Sequence, residues 1–220
     1  ESLYEFLDEG MTSYVSALCM QHLFEGPDSQ NPHRYAYAGY MQHALSGAEE
    51  PLATHADHYS TNRGYGIAAY SKGEVLVAQL RAVIGEEAVR EGLKDYYRRF
   101  AFKHPGPIDL MRCMERTSGV ELDWYFQYFV HSTHTIDYAI AEVNGSEIQL
   151  KKLGGMPMPT TVRVTFDDGS TQLFYIPLRM MRGHVLPEGA ELLPDWPWVN
   201  PAYSFSLSPG KNVTAVDLDP

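Results

Sequence analysis

The chain has 220 residues, enough for one large or two modest domains, and 44% of them are hydrophobic, which allows a sizeable core. Its formal net charge of −11 argues against non-specific nucleic-acid binding. No apolar stretch approaches the roughly 20 residues of a membrane span, and the acidic start ESLYEFLDEG does not resemble a signal peptide. Cys19 and Cys113 lie in apolar helical patterns and are interpreted as buried free thiols rather than a disulfide, so they do not decide the compartment.

Apolar periodicity predicts that the first half of the chain is helical. One apolar face is formed by residues that recur every three or four positions, Leu3, Leu7, Met11, Tyr14 and Leu18, and Gly26-Pro27 provides a stop. The same spacing predicts further helices at residues 32–45, 67–84, 86–100, 109–117 and 122–129.

The pattern then changes to alternation with frequent turns. Asn144-Gly145, between two alternating runs, is a strong two-residue hairpin signal. Short strands are predicted at residues 136–143, 148–152, 162–166, 173–176, 203–207 and 213–218, and a long loop at residues 182–201. The sequence therefore predicts an α+β chain of two domains, a helical one over residues 1–134 and a small β-sandwich-like one over residues 135–220.

The segment Leu7-Asp8-Glu9-Gly10 interrupts the amphipathic first helix with two acids and a glycine. Glycine inside a helix costs about 1 kcal/mol relative to alanine, which favours a close approach or a functional reason for its presence. By itself the segment also fits a solvated acidic face.

Tyr65 and Tyr70 stand at the start of an apolar helix. A tyrosine phenol has a pKa near 10 and is a neutral donor at pH 7, which suits a developing oxyanion. Aromatic core packing is the alternative interpretation for both residues.

Thr54-His55-Ala56-Asp57-His58 contains residue types that bind metals. Its spacing fits neither one helix face nor a familiar zinc pattern, so the sequence favours a polar loop there. The same interpretation holds for His131 and His134, which stand at the predicted domain junction.

These segments occur in the order found in a known family. The chain resembles the alanyl-aminopeptidase (aminopeptidase N-like) gluzincin zinc metallopeptidases, in which HExxH is followed by W-L-[ND]-E-G and then by Y-x-K-G. The matching segments here are Phe6-Leu7-Asp8-Glu9-Gly10 and Tyr70-Ser71-Lys72-Gly73. Further similarity is carried by Gly85-Glu86, Tyr96-Tyr97, Phe102-Lys103-His104-Pro105, Pro107, Asp109, Met114-Glu115, Ser118-Gly119 and Leu122-Asp123-Trp124. The resemblance implies the all-α C-terminal subdomain of a thermolysin-like catalytic domain, followed by a β-sandwich-like domain.

The resemblance also implies a zinc-dependent aminopeptidase that hydrolyses N-terminal residues from peptides. Glu9 would be the third zinc ligand, beside two histidines that this chain does not contain, with an open position for water. The metal would polarise the scissile carbonyl and lower the pKa of that water. Tyr70 would donate a hydrogen bond to the oxyanion, and Tyr65 would form a wall of the pocket.

The sequence departs from the family pattern at several points. Phe6 replaces the usual tryptophan, and neither HExxH nor the exopeptidase motif is present. We therefore expect a C-terminal fragment of a longer enzyme that is inactive alone and does not hold zinc tightly, because one carboxylate is a poor metal site. An apolar face left by the missing segment would favour self-association. The resemblance favours a bacterial periplasmic or secreted enzyme.

Two other interpretations stay open. In one, the parent protein is a catalytically degenerate family member, which predicts that a histidine or the glutamate of the upstream HExxH is replaced. In the other, the chain is an unrelated binding module with a helical part and a β-sandwich, which predicts that Glu9 and Tyr70 do not share a site.

Overall fold

The computed structural model describes residues 4–25, 31–208 and 210–219. The chain divides into two units, residues 1–133 and 134–220. Among the described residues, all helices lie in the first unit and all strands in the second, which confirms the predicted α+β class of a helical part followed by a strand-rich domain. Within these ranges no helix combines the length and apolar character that crossing a bilayer requires.

Seven α-helices form the described part of the first unit. They are α1 (Glu9–Met20), α2 (Arg34–Leu45), α3 (Asn62–Gly66), α4 (Gly73–Ile84), α5 (Glu86–Phe100), α6 (Pro107–Ser118) and α7 (Asp123–His131). Short 3₁₀ turns cover Glu5–Leu7 and Ala56–His58, and π-helical turns cover Gln21–Glu25 and Ile67–Lys72. Leu3 of the predicted apolar face and Gly26-Pro27, the predicted stop of the first helix, lie outside the described residues.

Helix α4 lies at the centre of the first unit. Its buried apolar side chains are Val75, Leu76, Val77, Ala78, Leu80, Val83 and Ile84. A helix with such a continuous apolar surface needs neighbours on several sides, and α1, α2 and α5 pack against it. The Tyr125 hydroxyl of α7 donates a hydrogen bond to the backbone oxygen of Leu76 at 2.6 Å. Helix α4 therefore fixes the position of the π-helical turn that leads into it.

The predicted helix at residues 67–84 has a more complex start than its periodicity indicated. Its first six residues, Ile67–Lys72, form a π-helical turn, and α3 precedes them directly. The chain is thus helical without a break from residue 62 to residue 84. π turns are rare in proteins, and those that occur are often found at functional sites. This change of helix type therefore marks the segment that carries Tyr70.

Both cysteines are free, as predicted, but only Cys113 is buried. The prediction that Cys19 is buried was wrong. Adjacent residues on a helix point about 100° apart, so the apolar stripe through Tyr14 and Leu18 leaves Cys19 on the outer side of α1.

The second unit contains two β-sheets. Its strands are β1 (Tyr138–Asn144), β2 (Glu147–Lys152), β3 (Thr160–Phe166), β4 (Thr171–Ile176), β5 (Ala190–Leu192), β6 (Ala202–Ser206) and β7 (Val213–Leu218). The sheet orders are β1-β2-β6 and β5-β4-β3-β7, and of these pairs only β4–β5 is parallel. The predicted β1–β2 hairpin is present, but its turn lies one residue later, at Gly145-Ser146, because Asn144 pairs with Glu147; Gly145 has the positive φ of 59° that such turns favour.

Side chains from both sheets form one apolar core, as in a β-sandwich. Its members are Ile148, Leu150, Val162, Val164, Phe166, Phe174, Ile176, Trp196, Phe205 and Leu207. The segment at residues 182–201, predicted as a loop, contributes β5 and the buried Trp196, whose Nε1 donates to the backbone oxygen of Asn200 at 3.0 Å. Strand β5 forms because it pairs with the distant strand β4. Its own segment is rich in proline and glycine and gives no local signal for a strand.

Candidate functional site

Helices α1 and α4 cross at a direct contact between two glycines. A Cβ added to Gly10 would lie 2.6 Å from two backbone atoms of Gly73, and a Cβ added to Gly73 would lie 2.9 Å from the Cα of Gly10. Cβ atoms essentially never come so close to backbone, so both positions require glycine. Gly10 follows Glu9 and Gly73 follows shortly after Tyr70, so the crossing brings the two predicted site residues together.

Glu9 and Tyr70 interact with each other. Glu9 is the first residue of α1 and is half-buried, and the free N–H groups of a helix start favour a carboxylate there. Tyr70 lies in the π-helical turn and is 43% exposed. Hydrogen bonding to the Glu9 carboxylate, followed by burial and by nearby charges including Asp8, raises the pKa of the Tyr70 phenol. The phenol is therefore a neutral donor at neutral pH, held against a carboxylate.

Tyr65 lies near the same carboxylates. Burial raises the pKa of the Tyr65 phenol first, and the charges of Glu5, Glu9 and Asp8 raise it further. Its ring packs edge-on against Tyr59, with 5.7 Å between the centroids. The carboxylates of Glu5, Asp8 and Glu9 give the region around these phenols a negative electrostatic potential.

Glu5 is a residue of this region that the sequence did not indicate. Its side chain is 7% exposed, and its Oε1 atom has no hydrogen-bond partner among the described residues. A buried carboxylate oxygen without a partner costs free energy. The sequence signal was weak, because an acid beside two apolar residues, Phe6 and Leu7, is equally expected at the surface.

Lys72 ties the π-helical turn to the interior. Its side chain is 2% exposed, and its Nζ donates to Glu49 Oε1 at 2.5 Å and to the backbone oxygen of Ser132 at 3.1 Å. The ammonium also lies over the rings of Tyr40 and Phe129, 5.6 and 5.8 Å from their centroids. Burial lowers the pKa of Lys72, and the Glu49 carboxylate opposes this shift. The sequence contains Lys72 within the Tyr70-Ser71-Lys72-Gly73 segment, but no local pattern indicates its burial or its pairing with Glu49.

The histidine candidates do not gather into a metal centre. His55 accepts a hydrogen bond at Nδ1 from the backbone N–H of Asp57 at 3.2 Å and so caps a 3₁₀ turn, with the His58 ring 5.1 Å away. His131 is exposed at the end of α7, and His134 belongs to the second unit. Within the described parts of the chain, no three or more His, Cys, Asp and Glu residues are grouped to hold a metal ion.

Comparison with known proteins gives matches centred on the first unit. The sequence profile described as "Peptidase family M1 domain" matches residues 4–129. The chain is 30% identical over 124 residues to Aminopeptidase N of Streptomyces lividans, and this alignment covers 53% of the chain and 14% of that protein. It is 24% identical over 126 residues to Probable aminopeptidase 1 of Saccharolobus solfataricus, and this alignment covers 54% of the chain and 16% of that protein.

A solved structure extends the similarity of fold to nearly the whole chain. Aminopeptidase A of Legionella pneumophila, solved in complex with aspartic acid, matches 94% of this chain and 22% of that chain, with a TM-score of 0.53 and 14% sequence identity. At this identity the match concerns the fold alone. The chain thus spans less than a quarter of the length of each of these three proteins.

Proposed function

Because this chain belongs to peptidase family M1, we propose that it forms part of a zinc-dependent aminopeptidase that removes N-terminal residues from peptides. The observation that carries the proposal is that the structure brings Glu9 and Tyr70 close enough for the carboxylate to be the main cause of the raised pKa of the phenol. The two residues come from separate segments, and the Gly10–Gly73 crossing holds those segments in direct backbone contact. A carboxylate and a neutral phenol are thereby presented on one side of the first unit.

Each residue has a distinct chemical role in this proposal. Glu9 would supply an oxygen ligand to zinc. Tyr70 would donate a hydrogen bond to the peptide carbonyl oxygen as negative charge develops on that oxygen. The raised pKa of Tyr70 keeps the proton on the phenol at the pH of the reaction. Tyr65 lines the same region, and the electronegative start of α1 attracts the positively charged amino terminus of a peptide.

Glu9 fits one position of a zinc centre, because it is a half-buried carboxylate that keeps an exposed side. The described residues do not complete a ligand set, so the histidine ligands would come from outside them. Zinc, when bound, would polarise the carbonyl and lower the pKa of a water molecule. We propose accordingly that the isolated 220-residue chain neither retains zinc nor hydrolyses peptides.

Replacement of Tyr70 by phenylalanine tests the proposed function. In the full-length, zinc-loaded protein, Tyr70→Phe is expected to lower kcat by about 10²–10³-fold, because one donor to the oxyanion is lost. KM should change little, since the ring is retained and the donor acts mainly in the transition state. Steady-state rates on a panel of aminoacyl-p-nitroanilides measure both constants.

Tyr97→Phe is the matched control, because Tyr97 lies on α5 with 70% of its surface exposed and loses the same hydroxyl. Its kcat should equal that of the unmodified protein. If the unmodified protein loaded with zinc cleaves none of the substrates, the degenerate, non-catalytic alternative is favoured. Equal kcat values for Tyr70→Phe and Tyr97→Phe would remove Tyr70 from the mechanism.

Self-association of the isolated chain is a second proposal, supported by exposed apolar side chains on two helical segments. Those with more than 45% of their surface exposed on α1, α2 and the turn at Gln21–Glu25 are Val15, Met20, Leu23, Phe24, Tyr35, Met41 and Leu45. Val15, Met20, Leu23 and Phe24 lie within residues 15–24, and several large exposed apolar groups on one segment are unusual on a monomer. Sedimentation equilibrium should give a mass that rises with concentration, and Leu23→Ser/Phe24→Ser should lower it. A constant monomer mass would refute the proposal.

A further inference from the structure

The π-helical turn that carries Tyr70 is held on its inner side by a buried polar network. Lys72 is the last residue of the turn, and Glu49, its ion-pair partner, is 6% exposed at the side chain. Burial raises the pKa of the Tyr40 phenol, and the charge of the Glu49 carboxylate and hydrogen bonding to it raise this pKa further. The Lys72 ammonium has a second acceptor in the backbone oxygen of Ser132. The network thus joins the turn to α2, to the irregular segment before α3 and to the end of α7.

Lys72 and Tyr70 lie two residues apart in the same π-helical turn, so the network that holds Lys72 also affects the direction of Tyr70. Residues two apart on a helix do not face each other but point to nearly opposite sides. Lys72 points into the interior at 2% exposure, and Tyr70 emerges at 43% exposure. A π turn has one more residue per hydrogen-bonded ring than an α-helix, so the direction of Tyr70 depends on how the turn is held.

We propose that Lys72 and Glu49 are positioning residues, whose buried ion pair fixes the register of the π-helical turn and so holds the Tyr70 phenol against the Glu9 carboxylate. The proposal deepens the proposed function, on which it rests for the importance of Tyr70. Buried ion pairs contribute little net stability compared with apolar groups of the same size, and fixing a register is their best-attested role. Here the register decides which side chain faces Glu9.

The pKa of Tyr70 reports the contact directly. It can be followed by NMR in the 220-residue chain with ¹³Cζ-labelled tyrosine, with the Tyr70 signal assigned from Tyr70→Phe. Glu9→Ala gives the value for a lost contact, which should lie below that of the unmodified chain because Glu9 is the largest cause of the raised pKa. The other groups that act on this pKa are Tyr65 and Asp8. Removing the charges of Lys72 and Glu49 therefore does not change the Tyr70 pKa directly.

The deciding variant is Lys72→Met/Glu49→Leu, which removes both charges and keeps the buried volume apolar. Its Tyr70 pKa is expected to move at least half of the way to the Glu9→Ala value, although its stability should be close to that of the unmodified chain. Glu49→Asp keeps both charges but shortens the reach by one methylene, and it should give a smaller shift in the same direction. If the double variant does not fold, the Tyr70 pKa of Glu49→Asp tests the proposal by itself.

The matched control is Arg81→Met/Glu86→Leu, which removes an exposed ion pair of 2.7 Å at the far end of α4 and should leave the Tyr70 pKa unchanged. A folded double variant that keeps the Tyr70 pKa of the unmodified chain would overturn the proposal, since the network would then have only a structural role. Because this reading needs no catalysis, it stands or fails separately from the Tyr70→Phe kinetics. In the active full-length protein, the double variant should lower kcat and leave KM unchanged.

Discussion

Replacing Gly10 by alanine is expected to destabilise the helical unit by about 3 kcal/mol, at the upper end of the range for overpacking. The new methyl carbon would lie 2.6 Å from the backbone of Gly73, and backbone cannot rotate away as a side-chain tip can. The gain in helix propensity, up to about 1 kcal/mol, offsets only part of this cost. Chemical denaturation followed by helical circular dichroism should show a lower midpoint with an unchanged slope.

Gly66→Ala is the matched control, because nothing lies within 4 Å of the added methyl group and the backbone there is helical. It should leave stability unchanged or raise it by up to about 1 kcal/mol. The same alanine at Gly10 forces α1 and α4 apart and should also separate Glu9 from Tyr70. If Gly10→Ala and Gly66→Ala have the same midpoint, the glycine contact does not hold the site together.

Replacing Lys72 alone by methionine is expected to destabilise the helical unit by about 3–5 kcal/mol. The substitution leaves the carboxylate of Glu49 buried without its cation, and an uncompensated buried charge costs far more than the ion pair contributed. The Ser132 carbonyl also loses its donor. The same denaturation experiment measures the loss, and adding Glu49→Leu to Lys72→Met should recover most of it.

The control for this prediction is Lys94→Met. Lys94 pairs with Glu91 at 2.7 Å, but the two side chains are 46% and 38% exposed. Exposed pairs contribute about 0–1 kcal/mol, so the change should stay within that range. Equal losses for Lys72→Met and Lys94→Met would mean that water reaches the Lys72–Glu49 pair and that it does not act as a buried one.

The sequence by itself determined the class of the fold and the two residues of the candidate site. Apolar spacing of three and four residues, then alternation, follows directly from the geometry of helices and strands, so it indicated helices before strands. Glu9 and Tyr70 were found because their segments resemble those of a family in order and spacing. Gly10 gave a local signal as well, since the apolar pattern placed it inside a helix, where glycine is unfavourable without a reason. The roles of Glu9 and Tyr70 stay predictions for the experiments above.

Only the tertiary structure decided which polar groups are buried together. Glu49 is one of 28 acidic residues, and nothing local distinguishes it as the partner of Lys72. The burial of Glu5, the exposure of Cys19 and the pairing of β5 with β4 likewise depend on what packs beside them. Periodicity reports how one segment presents its own side chains, whereas an ion pair or a glycine crossing depends on the meeting of two distant segments. That meeting is set by the packing of the whole unit, which no local pattern records.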